Sequence, residues 1–73
     1  MENVVSVRLG QQIRRLRKDK GWRQIDLAEH SGVHEVHISD IERGVREICL
    51  NNLVALARGL GISVSELVNG IDR

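Results

Sequence analysis

The stretch from Gln24 to Gly44 reads QIDLAEHSGVHEVHISDIERG. Leu27 and Ala28 on one side of Gly32, and Ile38 and Ile41 on the other, mark two short segments with helical apolar spacing. Ser31-Gly32-Val33 between them is turn chemistry. Gly32 supplies the left-handed backbone conformation that ends the first helix, and Val33 is expected to fill the corner. The spacing therefore predicts two helices joined by a tight turn.

A helix, a glycine corner and a second helix of this length form a helix-turn-helix, whose second helix enters the DNA major groove. Working outward, Gly21, Gly32, Gly44, Gly61 and Gly70 each follow a helical pattern, as C-terminal glycine caps do. Five helices are expected. Helix 1 runs from about Ser6, a candidate N-cap, to Lys20, with Leu9, Ile13 and Leu16 inward. Helix 2 runs from about Arg23 to Ser31, with Trp22 packed just before it. Helix 3 runs from about His34 to Arg43. Helix 4 runs from about Cys49 to Leu60 and buries Leu53, Leu56, Ala57 and Leu60, with Leu50 able to join them. Helix 5 spans about Val64 to Asn69, and Ser63 with Glu66 forms its capping box. Gly10 and Gly59 fall inside helices and cost some propensity.

With 73 residues the chain fits one domain, residues 1–73, with a thin core. Trp22 is its single aromatic residue, so the core is aliphatic, and the absence of proline favours helices. Cys49 is the single cysteine, so no internal disulfide forms, which suits a reducing cytosol. The N-terminal MENVVSVR does not read as a secretory signal, and no apolar run approaches a membrane span. A soluble, cytoplasmic protein is expected.

The net charge of +1 conceals an asymmetry. Between Val7 and Arg23 lie seven basic residues against Asp19 alone, whereas from Gln24 onward four basic residues face eight acidic ones. One basic segment on an otherwise acidic body suggests a face that meets an anion.

In this register the chain resembles the phage-repressor-like, Xre-type helix-turn-helix family from about Leu9 to Leu67. The likeness is carried by Ile13, Leu16, Arg17 and Gly21, by Gln24, Leu27, Ala28, Gly32 and Val33, by Ile38, Ile41, Glu42, Arg43 and Gly44, and by Leu50, Leu53, Ala57, Leu60, Gly61 and Leu67. Among short members it is similar to the controller proteins of restriction–modification systems, through Glu42 to Arg46 and Leu50-Asn51-Asn52-Leu53. The resemblance implies an all-α, five-helix, lambda-repressor-like DNA-binding domain that acts as a homodimer on a near-palindromic double-stranded operator. It departs from the family where Arg23, His34 and Cys49 stand at N-cap positions usually held by better capping residues. Each lost cap costs about 1 kcal/mol.

Gln24 is implied as a phosphate ligand, at a helix N-terminus that favours anions. Arg23 beside it adds a cation, His34 at the start of helix 3 is placed to donate to a phosphate, and Arg43 and Arg46, just past helix 3, reach the other side of the groove. Base reading falls to Glu35, Val36, Ser39 and Asp40, with His37 nearby. A carboxylate near phosphates is repelled unless it finds a donor, so acids here weaken non-specific binding and sharpen choice. Arg17 and Glu42 are implied to pair inside the domain. Val54, Val68 and Ile71, with Leu67 shared, are expected at the dimer interface. Asp26 and Glu29 project from helix 2, where related proteins touch RNA polymerase.

Other readings are weaker. His30, His34 and His37 gather near the turn, but without a CxxC or HExxH pattern they do not spell a metal site. Cys49 reads as a small half-buried residue rather than an activated thiol. No catalytic constellation or phosphate loop is present, so neither an enzyme nor a cofactor is expected. The alternative is an antitoxin-like, protein-binding helix-turn-helix module, which the three residues after Gly70 do not extend.

Overall fold

A computed structural model describes residues 4–73. Five helices follow one another: α1 (Val4–Asp19), α2 (Gln24–Ser31), α3 (Glu35–Glu42), α4 (Leu50–Leu60) and α5 (Val64–Leu67). No strand occurs among the described residues. Ser6 lies inside α1 rather than capping it, because the helix already runs from Val4. Glu2 lies outside the described residues.

The five glycines expected to end helices are the five with positive φ among the described residues. Gly32 has φ 75°, and its N–H donates to the Ala28 carbonyl at 2.8 Å, which closes α2. Val33 is buried directly after it, and its N–H donates to Ser31 Oγ at 3.1 Å. The corner is thus fixed by one left-handed residue, one apolar plug and one hydroxyl.

Leu9, Ile13, Leu27, Val33, Ile38, Ile41, Leu56, Ala57, Leu60 and Leu67 make one aliphatic core. The two interior glycines have a packing reason that propensity does not reveal. A β-carbon on Gly10 would strike the Ile41 and Glu42 carbonyls of α3, and one on Gly59 would lie 2.8 Å from Ser31 Cβ of α2. Both glycines let helix backbones meet closely.

Three expected placements are corrected. Leu50 is 72% exposed instead of joining the buried stripe of α4. Cys49 is exposed rather than half-buried. Leu67 is fully buried inside the chain, so its side chain has no surface to share with a partner. Helix 5 is also shorter than expected, ending at Leu67, although Ser63 accepts from the Glu66 N–H at 3.1 Å and Glu66 accepts from the Ser63 N–H at 3.2 Å, as a capping box requires.

Candidate nucleic-acid interface

Helix α3 buries Ile38 and Ile41 and turns Glu35 and Val36 outward, with His37, Ser39 and Asp40 half-buried beside them. Val36 is 57% exposed. A bare branched apolar side chain on a short helix offers contact area for a groove-lining methyl group. Glu35 and Val36 are the exposed residues of this face among the described residues of α3.

The N-terminal end of α3 is capped by a ring. His34 Nδ1 accepts from the Val36 N–H at 3.1 Å. The expectation of a lost cap at this position is therefore corrected: an unprotonated imidazole nitrogen serves where a hydroxyl is usual. Accepting at Nδ1 leaves Nε2–H as the ring's donor. His37 stands close by, with ring centroids 6.1 Å apart. His30 belongs elsewhere: it stacks on Trp22 with centroids 4.1 Å apart, and its Nδ1–H donates to the Asp26 carbonyl at 2.9 Å. No group of three or more His, Cys, Asp or Glu residues that could hold a metal occurs among the described residues.

The N-terminus of α2 is organised by Asp26. Its carboxylate accepts from the Arg23 N–H at 2.8 Å and from the Arg23 guanidinium at 3.2 and 3.1 Å. The cap that the Arg23 side chain does not supply is thus half-replaced from within the helix. Hydrogen bonding from the Arg23 guanidinium, then from its backbone N–H, holds the Asp26 carboxyl below its ordinary value, and the same pairing raises Arg23. Asp26 is therefore engaged, whereas Glu29 remains exposed on the same helix.

Arg17 and Glu42 form a two-pronged buried ion pair. Arg17 Nε donates to Glu42 Oε2 at 2.7 Å and Nη2 to Oε1 at 2.9 Å. Arg17 Nη1 donates to the Trp22 carbonyl at 2.7 Å, which fastens the α1–α2 loop. Hydrogen bonding to Glu42 raises Arg17 against the opposing effect of burial. Gln24 Nε2 also donates to Glu42 Oε1 at 3.2 Å. One carboxylate therefore ties the end of α1, the start of α2 and the end of α3 together, and it fixes the amide of Gln24 beside the helix N-terminus. This link between Gln24 and Glu42 was not expected from the chain, since the two stand 18 residues apart.

At the other end of α3, both oxygens of Asp40 are occupied. Oδ1 accepts from Arg43 at 2.5 Å and Oδ2 lies 3.5 Å from Arg46 Nε. Asp40, expected to read a base, thus faces Arg43 and Arg46 in this arrangement. The basic stretch is likewise partly compensated: beyond Arg17 and Arg23, Arg15 pairs with Asp19 at 3.7 Å, and Arg8 reaches the Ile71 carbonyl at 3.4 Å.

Of the residues expected at a subunit contact, Val68 and Ile71 lean on the core, and Val54 is half-buried on α4 without being part of that packing. Leu50 lies one helical turn before Val54 on the same face, so the outward apolar stripe of α4 is larger than periodicity suggested.

Residues 13–67 match the helix-turn-helix family. The chain is 35% identical over 72 residues to the control protein C.MunI of a Mycoplasma species, covering 97% of each chain. It is 34% identical over 70 residues to the control protein C.BamHI of Bacillus amyloliquefaciens, covering 94% of this chain and 86% of that one. The crystal structure of the restriction–modification controller protein C.AhdI from Aeromonas hydrophila superimposes with a TM-score of 0.82 at 40% identity, over 85% of this chain and 94% of that chain.

Proposed function

Because the chain belongs to the helix-turn-helix family of DNA-binding transcriptional regulators, we propose that it is a controller of restriction–modification genes that binds a near-palindromic operator as a homodimer. The bare outer face of α3 carries the reading: Glu35 and Val36 are exposed between two ends rich in donors. Glu35, Val36, His37 and Ser39 read base edges in the major groove. Gln24, Arg23 and His34 contact phosphates at one end, and Arg43 and Arg46 do so at the other. Arg17 and Glu42 hold the helices in register and touch no base.

Size supports the dimer. The described chain measures 31 Å in its longest direction, while two half-sites one helical turn apart need recognition helices about 34 Å apart. One copy cannot reach both. The apolar surface of Leu50, Val54, Val68 and Ile71 suits a two-fold contact. Glu29, rather than the engaged Asp26, is the acid available for RNA polymerase.

No helix among the described residues is long and apolar enough to cross a membrane. The protein acts in the cytoplasm, where its operator lies, and performs no catalysis. Selection of bound sites from a random duplex library tests the whole scheme. A two-fold symmetric consensus with half-sites about one helical turn apart is expected; recovery of no consensus would reject it.

A further inference from the structure

One carboxylate holds two arginines at the end of α3. Asp40 accepts from Arg43 and faces Arg46, and its side chain is 20% exposed against 63% and 49% for the two arginines. The acid lies beneath and the cations lie over it. The backbone makes this possible. The Gly44 N–H donates to the Ile41 carbonyl at 3.0 Å, and the Val45 N–H donates to the Asp40 carbonyl at 3.2 Å, with Gly44 at φ 71°. That double closure folds the chain back over the helix end. Arg46, six positions beyond Asp40, thereby returns to the same carboxylate as Arg43.

Two guanidinium groups on one anion repel each other unless that anion stays between them. A phosphate offers the same chemistry as the carboxylate: negative charge and several acceptor oxygens suited to guanidinium donors. We propose that Asp40 is a specificity-determining residue whose carboxylate occupies, in the free protein, the place a DNA phosphate takes between Arg43 and Arg46. The inference rests on the reading of α3 as the DNA-facing helix. On arbitrary DNA only phosphate contacts are available, and those of Arg43 and Arg46 must displace Asp40 first. On the operator, base contacts by the rest of α3 add to the phosphate contacts and tip the exchange. The acid therefore separates operator from bulk DNA without touching a base.

The test compares binding of the full chain to a random-sequence duplex and to a duplex recovered by selection. Asp40→Asn keeps the side-chain shape and the backbone carbonyl that receives Val45, so the turn survives; Asp40→Ser removes the same charge and should act in the same direction. Asp40→Asn is expected to tighten binding to the random duplex about ten-fold, since two exposed ion pairs are each weak, and to narrow the preference for the selected duplex. Asp72→Asn removes the same charge from the C-terminal tail and should change binding by about two-fold or less, as a distant screened charge does. In an Arg43→Ala/Arg46→Ala background, Asp40→Asn should have no effect on the random duplex. An equal gain from Asp72→Asn would overturn the proposal. So would an Asp40→Asn variant with no gain on random DNA and altered preference at one base pair. Wild-type protein that retains neither duplex overturns the docking reading and the clamp with it, whereas wild-type binding with an unchanged Asp40→Asn isotherm overturns the clamp alone.

Discussion

Gly10 of α1 lies directly on the carbonyl of Ile41 at the end of α3. A β-carbon at Gly10 would also stand 2.7 Å from the Glu42 carbonyl oxygen, and both obstacles are backbone rather than movable side chain. Gly10→Ala removes an interior helix glycine, worth about 1 kcal/mol in propensity. Overpacking against fixed carbonyls costs about 3 kcal/mol and outweighs it. A net loss of about 2 kcal/mol is expected in urea unfolding, and a stabilised variant would contradict the close approach.

Arg17 and Glu42 are a buried pair with both charges satisfied by each other and by Trp22 and Gln24. Removing one partner strands the other charge away from water. Glu42→Gln should cost about 3 kcal/mol, and Arg17→Met/Glu42→Leu should recover much of that loss. A double-mutant cycle by thermal unfolding measures the coupling. Additive losses would mean the two residues act separately.

Acid should loosen the start of α2. The folded Asp26 carboxyl is held below its ordinary value, chiefly by the Arg23 guanidinium. Its contribution is present in full above the unfolded carboxyl's value and is lost as pH falls through the lower folded value. The stability difference between wild type and Asp26→Asn should therefore be constant near neutrality and shrink below about pH 4. Chemical unfolding across that range checks it, and a difference that grows on acidification has the wrong sign.

Arg46→Ala and Glu35→Ala should separate grip from reading. Loss of Arg46 should weaken all duplexes about equally and flatten the salt slope by about one unit. Loss of Glu35 should alter base preference instead. Titrations at several salt concentrations and a repeated site selection distinguish the two. Preference left intact without Glu35 would remove it from the reading set.

Assembly is best tested at Val54, because Ile71 and Val68 lean on the core and a charge there would confuse folding with association. Val54→Asp should sediment as a monomer with unchanged helix content. A persisting dimer would place the contact elsewhere.

The five-helix register was legible because its signals are local. Apolar residues at helical spacing and a left-handed glycine after each helix act within a few residues of the chain. His34 escaped that reading because its ring caps through Nδ1, where hydroxyl and carboxamide side chains are the common choice. Leu50 escaped it because α4 has eleven residues and α2 eight. Their C-terminal ends meet where Gly59 abuts Ser31, and Leu53, Leu56, Ala57 and Leu60 pack on the core while Leu50 stays 72% exposed. Gly10 and Gly59 looked like defects until the helices they separate were placed side by side.

By itself the order of residues determined that five helices form, which glycine follows each, and which side of each is apolar, since those preferences depend on neighbours along the chain. The fate of the charges was decided only in three dimensions. Arg17, Arg23, Arg43 and Arg46 are the same residue type, yet one is buried on Glu42, one is bound to Asp26 and two share Asp40. Coulomb attraction depends on separation through space, and a separation of 25 positions between Arg17 and Glu42 becomes 2.7 Å once α1 and α3 pack together.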